Sequence, residues 1–277
     1  MNRAIRFLFP LWLLLLSSCS PEYKLAQEFR KSPPRFNLLV LAPDFLYKYN
    51  HKGELVDGFT GMDEQQQDSA LFWSSDFIRE ISDSVFLERY MNQFLEELRL
   101  LHFTVYLEPG VDSFLMQQPQ SYVVNVTQLQ VDEYAYPYEE EESFYDTLFI
   151  KHFTLNAVDV SVWIELSKLN TSQRTGAVLY SSHMASDEVS GSFGLDPYSF
   201  MVQYRYRIDS LALEKIYDMA GYLGRIHASY LYDFFLNRYI AFHLPAGYGT
   251  PVYYHYNRFS RSFIPVEDDR FELLEMK

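Results

Sequence analysis

Apolar and polar residues alternate most regularly between positions 150 and 166. Every second position from 158 onward carries an aliphatic residue, namely Val158, Val160, Val162, Ile164 and Leu166. A period of two places these side chains on one face of a β-strand, with that face buried. A turn-forming stretch follows over 170–176, and residues 177–189 have the pattern of a second strand. The pattern therefore predicts a β-hairpin with Val160, Val162 and Ile164 in the core.

Three other stretches have the pattern of strands. Residues 36–42 form a nearly continuous apolar run, which is typical of a strand buried on both faces. Residues 103–107 form a shorter run that ends before Pro109 and Gly110. Residues 122–131 alternate, with Val124 and Val126 on one face.

Two long segments have the helical period instead. Over 69–101 apolar residues recur mostly at steps of three and four, and residues 74–76 offer a capping site at which a second helix could start. Asp209 is a plausible N-cap for a helix over 210–242, in which Gly221 and Gly224 predict close packing on the sheet. The order of elements predicts an α+β fold, with a mostly antiparallel sheet of about five strands and two long helices packed on it. We expect one domain over 36–245, followed by a C-terminal extension over 246–277.

The beginning of the chain has a different pattern. Arg3 and Arg6 precede an apolar run that ends in Leu16-Ser17-Ser18-Cys19, and Cys19 is the only cysteine. This is the layout of a secretory signal peptide, and the run is too short to span a membrane comfortably. The four residues resemble a bacterial lipobox. The resemblance implies a signal peptide over 1–18 and lipidation (palmitate) at Cys19, with a lipidated tether over 19–35 that ends at Pro33-Pro34. Ser20 in place of aspartate implies the outer membrane, and the lack of an acidic run after Cys19 favours its periplasmic face.

The predicted order of strands and helices also resembles the small sheet-and-helix domain of several envelope lipoproteins. These include the lipoproteins that activate cell-wall synthases and the curli-secretion lipoprotein. The resemblance is architectural, so no functional residue other than the lipobox cysteine is carried over from it.

Composition narrows the classes of partner. The formal net charge is −14 and the pI is about 4.9, so the chain lacks the basic stripe that nucleic-acid binding requires. Acidity also disfavours direct docking on anionic lipid, so we expect the membrane to be contacted through the lipid on Cys19. Aromatic residues make up 18% of the chain, which supports a packed core.

No motif in the sequence predicts catalysis. The seven histidines lie at positions 51, 102, 152, 183, 227, 243 and 255, and no pair has the spacing of a zinc site. Ser190-Gly191-Ser192 lacks the first glycine of a nucleophile elbow, and no glycine-rich phosphate loop is present. We interpret Glu139–Glu142 as a solvated acidic loop in preference to a calcium site. No catalytic, cofactor or metal residue is therefore predicted.

Clustered tyrosines are the sequence feature with binding character. Residues 132–147 are expected to project from the sheet as a mobile loop or an extended hairpin tip, with Tyr134, Tyr136 and Tyr138 as candidate contacts to a partner protein. A second aromatic set lies near the C-terminus: Tyr253, Tyr254, Tyr256 and Phe259. Three functions stay open: a non-enzymatic envelope assembly or interaction lipoprotein, a glycan- or peptidoglycan-binding lipoprotein, and an enzyme with a site formed only in the fold. An apolar patch with a polar rim would favour the first, a shallow aromatic groove the second, and a His–carboxylate pair in a pocket the third.

Overall fold

The computed structural model describes residues 20–52, 62–117, 120–144, 146–169, 175–199, 201–267 and 270–275. Its helices are α1 (Pro21–Lys31), α2 (Glu64–Trp73), α3 (Asp83–Leu100), α4 (Val111–Leu115) and α5 (Leu213–His243). Its strands are β1 (Asn37–Leu41), β2 (Tyr47–Asn50), β3 (Thr104–Tyr106), β4 (Ser121–Phe144), β5 (Thr147–Lys168), β6 (Thr175–Ser186), β7 (Glu188–Leu195), β8 (Val202–Asp209), β9 (Tyr253–Asn257), β10 (Ser262–Val266) and β11 (Phe271–Glu275).

Among the described residues, the main sheet has seven strands and is mixed, in the order β11-β6-β5-β4-β1-β3, with β2 also paired to β4. The α+β class is confirmed, but the prediction of about five mostly antiparallel strands with two helices is corrected. Strands β1 and β4 are parallel, as are β1 and β3 and also β2 and β4. The chain between β1 and β4 contains α2 and α3, and such long connections return the chain in a parallel direction. Strands β4, β5, β6 and β11 are antiparallel.

The core confirms the strongest alternation in the sequence. Val160, Val162 and Ile164 are fully buried in β5, and β5 pairs with β6 as the predicted hairpin. One hydrophobic cluster joins these sheet residues to α1, α3 and α5. The closest helix contact lies between α3 and α5, where a β-carbon added at Gly224 would be 2.2 Å from the backbone oxygen of Tyr90. The small residues of α5 therefore permit close packing on a helix, whereas we had expected it on the sheet.

The N-terminal segment differs from the expected tether. Residues 21–31 form helix α1, whose Ser20 side chain accepts a hydrogen bond from the Tyr23 amide at the N-cap. Ala26 and Phe29 are fully buried, and the Phe29 ring packs against Tyr232 and Tyr239 of α5. A serine N-cap followed by Pro21 at the first helical position is a helix-start signal that identifies this segment. The packed domain thus begins before residue 36.

The C-terminal segment is part of the same domain. Strands β9 and β10 form a hairpin that packs on α5, where the Asn237 side chain bonds both the backbone N–H and the carbonyl of Tyr254. Strand β11 pairs with β6 in the main sheet, and Phe271 is buried against Phe234. The expected boundary at residue 245 is therefore a turn within the fold. Among the residues described, no helix has the length and apolar character needed to cross a membrane.

Candidate functional site

Strands β4 and β5 continue well past the edge of the main sheet. Their pairing extends from Tyr134 opposite Ala157 to Phe144 opposite Thr147, whereas β6 ends at Ser186, which pairs with Ala157. We call residues 134–144 and 147–156 the arm. Strands β7 and β8 form a second hairpin, which lies over the arm. Ring contacts join the two: Phe149 with Phe193 at 5.1 Å between centroids, and Phe153 with Tyr206 at 5.4 Å.

The three candidate tyrosines lie on the arm, and each has a contact within the protein. The Tyr134 ring stacks on His51 with centroids 4.7 Å apart. The Tyr136 hydroxyl donates to Ser186 Oγ at 3.3 Å, and the Tyr138 hydroxyl donates to Glu140 Oε1 at 2.5 Å. The latter bond raises the pKa of Tyr138. The segment is therefore an extended hairpin, and these tyrosines are half-buried and fix its conformation.

Two acids that open the tyrosine-rich segment are buried, although we had expected them to be exposed. The Glu133 carboxylate is fully buried and accepts hydrogen bonds from the backbone amides of Asp76, Phe77 and Ile78 at 2.8–3.0 Å. Lys52 Nζ pairs with the same carboxylate at 2.6 Å. Buried carboxylates are stable when their oxygens have donors. Asp132 and Glu133 therefore belong to the sheet, and the projecting segment starts at Tyr134.

The end of the arm combines apolar and acidic side chains on its surface. Leu148 and Ile150 of β5 are exposed, as are Tyr198 and Met201 in the turn between β7 and β8. Phe149 contacts Phe193 near this turn, so the turn lies close to the end of the arm. Leu148 and Ile150 flank Phe149 in β5 and therefore point to the opposite face of the arm. Exposed acids border them on β4, including Glu139, Glu141 and Glu142. We call this set the arm tip. An exposed apolar patch with a polar border is typical of a protein contact surface.

A concave site lies at the other end of the molecule. A cleft of about 470 Å³ is enclosed by the C-terminal ends of α1 and α3 and by the β9–β10 hairpin. Its lining residues are Arg30, Pro33, Leu100, Leu101, His102, Tyr232, Tyr256, Arg258 and Arg261. We call it the cationic cleft, because three of these residues are arginines and none is acidic. A side pocket of about 390 Å³ adjoins it and shares Tyr256 and Arg258.

Hydrogen bonds hold the side chains of Arg30 and Arg258 in place. Arg258 makes two bonds to the buried Glu97 carboxylate, from Nε at 2.7 Å and from Nη2 at 3.0 Å. Arg30 Nη1 donates to the backbone carbonyl of Arg261 at 2.8 Å, so α1 is tied to the β9–β10 turn. Bidentate arginine–carboxylate pairs are geometrically specific. The cleft walls are therefore fixed relative to one another.

A His–carboxylate pair lies at the side pocket, which His255 lines while Asp233 is buried behind it. His255 Nδ1 is 2.6 Å from Asp233 Oδ2, and Asp233 Oδ1 accepts from the Tyr256 amide at 2.8 Å. The hydrogen bond to Asp233 raises the pKa of His255, while burial raises the pKa of Asp233. Both oxygens of this carboxylate hold the hairpin, so the pair has an evident structural role.

The cleft was not predicted from the sequence as a cationic site. Tyr256 and Phe259 of the second aromatic set line the cleft and its side pocket, respectively, while Tyr254 is buried. Arg30 and Arg258 lie near opposite ends of the sequence, so no local pattern links them. Cys19, the predicted lipidation site, lies outside the described residues. Within the described ranges, no group of three or more His, Cys, Asp or Glu side chains is arranged to hold a metal ion. Comparison with known protein families and with curated proteins finds no match for this chain.

Proposed function

We propose that the chain is a non-enzymatic lipoprotein of the bacterial outer membrane, anchored through Cys19 on the periplasmic face. It acts in envelope assembly by contacting a partner protein with the arm tip. The observation that supports this proposal is that Ser20, the residue after the predicted anchor, and the arm tip lie at opposite ends of the described domain. The lipobox supplies the anchor, and the exposed apolar group with its acidic border supplies the contact surface.

Contacts at the start of α1 show which end of the domain Ser20 occupies. Helices α1 and α5 are antiparallel, because Phe29 lies between Tyr232 and Tyr239 while the start of α1 lies beside residues that follow α5. Ser20 Oγ is 3.4 Å from the Tyr254 hydroxyl, and Glu22 bonds with Tyr248. Ser20 is the residue next to Cys19, so a lipid on Cys19 would attach to the chain one residue before this point.

Contacts at the other end of α5 place the arm. The Leu211 amide donates to Asp187 Oδ1 at 2.7 Å, and the Asp187 amide donates to the carbonyl of Asn156 at 2.9 Å. Asn156 pairs with Ala135 where the arm begins. Helix α5 has 31 residues, or about 46 Å. The arm adds about 35 Å of strand. An anchored molecule of this shape can hold the arm tip far from the membrane surface.

A glycan- or peptidoglycan-binding lipoprotein is the second candidate function. The specific observation that favours it is the cationic cleft, whose walls include Tyr232 and Tyr256. Tyrosine rings offer a flat apolar face together with a polar hydroxyl, which suits sugar rings. The His255–Asp233 pair would favour an enzyme, but its hydrogen bonds to the hairpin account for it without a reaction.

Replacement of the predicted anchor residue tests the membrane attachment. Cys19→Ala removes the thiol that would be acylated, so the variant is expected in the soluble fraction after cell lysis. Acyl labelling followed by membrane fractionation measures this. Sedimentation of the variant with membranes in high salt, as for the parent protein, would contradict the anchor.

Site-specific crosslinking tests the arm tip. A photoreactive residue at the exposed position Tyr198 is expected to give one discrete adduct with an envelope protein. The double variant Leu148→Glu/Ile150→Glu should abolish that adduct by placing charge in the contact. Leu115→Glu on α4 is the matched control, because Leu115 is 51% exposed and Leu148 is 53% exposed. An adduct that survives the double variant, or that disappears in the control as well, argues against a contact at the arm tip.

A further inference from the structure

The cationic cleft is lined by positive side chains, although the chain as a whole carries a net negative charge. The chain carries 37 acidic and 23 basic side chains, yet three arginines and no carboxylate line this cleft. We propose that the cationic cleft binds an anionic saccharide, that is, a sugar ring carrying a carboxylate or phosphate oxyanion. This inference rests on the second candidate function above and names its site and the chemical class of its ligand.

Two of the three arginines have charge left to offer a ligand. Among the described residues, no carboxylate lies within ion-pair distance of Arg30 or Arg261. Glu97 is near the cleft, but both of its oxygens bond to Arg258. Arginine presents five N–H donors in a planar fork that matches the geometry of carboxylate and phosphate groups. An oxyanion in the cleft would therefore neutralise charge that the described carboxylates leave unpaired.

Two of the three arginines, Arg30 and Arg258, are also held in position before any ligand binds. One N–H of Arg30 is used on the carbonyl of Arg261, which leaves the rest of its fork available. Arg258 is fixed by its two bonds to the buried Glu97. Fixed donors lose less conformational entropy on binding than free surface side chains do. This distinguishes the cleft from a chance group of surface cations.

The other walls of the cleft suit a ring. The rings of Tyr232 and Tyr256 pack on each other, with centroids 5.0 Å apart at a tilt of 35°, and Tyr232 is buried, so Tyr256 is the more accessible ring of the pair. Burial raises the pKa of Tyr232, so its hydroxyl stays neutral and can donate a hydrogen bond. The cleft volume of about 470 Å³ falls within the range of small-ligand sites. A polar ring with one anionic substituent matches these apolar faces and cationic donors together.

His102 is held in an unfavourable backbone conformation at the edge of the cleft. It has φ of 69° and follows the end of α3, where the amides of His102 and Phe103 bond the carbonyls of Arg99 and Leu98. This pattern is a Schellman motif, and glycine is the usual residue at that position. Strained residues concentrate at binding sites. The imidazole of His102 lines the cleft and adds a donor that glycine would lack.

A structural explanation for the arginines makes a different prediction. Arg30 lies in the last turn of α1, where cations stabilise the helix dipole. If the arginines served only that purpose, replacing them would lower thermal stability without any effect on ligand affinity. Thermal melts of each variant, run beside the binding assay, separate the two roles.

The test measures binding to the full-length protein in non-ionic detergent by isothermal titration calorimetry. The probes are N-acetylmuramic acid for a carboxylate, N-acetylglucosamine 1-phosphate for a phosphate, and N-acetylglucosamine as the neutral match. At least one anionic probe should bind with millimolar or tighter affinity and at least about tenfold more tightly than the neutral sugar. Whichever anionic probe binds more tightly identifies the oxyanion.

Variants then assign the binding to the cleft. Arg30→Gln and Arg261→Asn should each weaken binding at least about tenfold, since each removes a charged hydrogen bond. Asparagine is chosen at 261 because Arg261 has φ of 52°, a region that asparagine tolerates. Arg205→Gln on β8, far from the cleft, should leave the affinity unchanged.

Three results would overturn the inference. They are no binding of either anionic probe at about 10 mM, equal binding of the neutral sugar, and undiminished affinity in both cleft variants. None of these results bears on the arm tip, because the crosslinking experiment uses neither the probes nor the cleft residues. Failure of the ligand site and failure of the proposed partner contact are therefore distinguishable.

Discussion

Ser181 Oγ lies 2.5 Å from Nε2 of His227, and the other ring nitrogen of His227 lies 2.9 Å from the Tyr90 hydroxyl. These bonds join β6, α5 and α3 inside the core. His227 is fully buried, so a substrate cannot contact its ring, although a serine beside a histidine is the arrangement of a nucleophile and its base. Burial lowers the pKa of His227 to about 3. The neutral imidazole therefore accepts one hydrogen bond and donates the other.

This buried histidine predicts destabilisation by mild acid. Its pKa is about 3 in the folded protein and 6.5 when unperturbed, so the unfolded chain binds the proton first as the pH falls. Its contribution to stability is complete above pH 6.5 and is lost progressively toward pH 3. At pH 5 the expected loss is about 2 kcal/mol relative to pH 7.5. Urea unfolding monitored by circular dichroism across this range measures how the free energy of unfolding changes with pH.

His227→Gln supplies the comparison for the acid prediction. Glutamine does not titrate, so the variant should be less stable than the parent at pH 7.5 but should lose less stability between pH 7.5 and 5. His255 on β9, with raised pKa, contributes in both proteins and cancels in the difference, whereas His183 on β6 lies 6.3 Å from His227 between ring centroids and contributes to its lowered pKa. Parallel pH profiles for the two proteins would show that His227 is not the group responsible.

The contact between α3 and α5 predicts opposite effects for two neighbouring glycines. A β-carbon at Gly224 would lie 2.2 Å from the Tyr90 carbonyl oxygen and 3.0 Å from the Phe94 nitrogen, both backbone atoms that cannot rotate away. Gly224→Ala should therefore lower the free energy of unfolding by at least about 3 kcal/mol. At Gly221 the nearest atom would be Gln93 Cγ at 3.4 Å. Gly221→Ala should raise stability by up to about 1 kcal/mol, as alanine favours helices. Equal melting temperatures for the two variants would contradict the close approach.

The elements that could be predicted from the sequence are those with long, regular patterns. Strand β5 alternates over many residues, and α5 was expected over 210–242 and is observed at Leu213–His243. Segment 69–101 was expected to be helical with a second start near residue 75. It contains the end of α2 and all of α3, but α3 starts at Asp83, later than expected. In each case the element buries a long apolar face, so the spacing of its apolar residues identifies the element more reliably than the propensities of single residues do.

The elements that were missed are short or depend on distant partners. Helix α1 has a polar composition, and its two fully buried residues, Ala26 and Phe29, become core only because α5 lies beside them. Strand β2 has four residues without alternation, and it exists because β4 offers a free parallel edge. The same reasoning applies to the site. The cationic cleft forms where α1 meets the β9–β10 hairpin. No local sequence pattern indicates that these two distant segments are in contact.

The contacts of Glu133 predict that a small chemical change at this position causes a large loss of stability. Glu133→Gln keeps the size of the side chain but turns one acceptor oxygen into an NH₂ group that faces backbone N–H donors. It also removes the charge that pairs with Lys52. Removal of one partner of a buried, hydrogen-bonded pair leaves donors unsatisfied, so stability should fall by about 3 kcal/mol. Glu142→Gln, at an exposed position of β4, should change stability by less than about 0.5 kcal/mol. Chemical denaturation compares the two variants. Similar losses of stability would mean that the contacts of Glu133 do not stabilise the fold.

His102 predicts opposed effects on stability and on ligand binding. Because its φ of 69° suits glycine, His102→Gly should relieve about 1–2 kcal/mol of backbone strain and lose about 0.5–1 kcal/mol through the more flexible unfolded chain. The net expectation is a stabilisation of about 0.5–1 kcal/mol, measured by urea unfolding. The same variant should bind an anionic saccharide more weakly, because the imidazole no longer lines the cleft. His102→Ala separates the two effects, since it removes the ring but keeps the strain, and should weaken binding without the gain in stability. If His102→Gly raises stability and leaves affinity unchanged, then His102 is not part of the ligand site and its strained backbone has no functional role in the cleft.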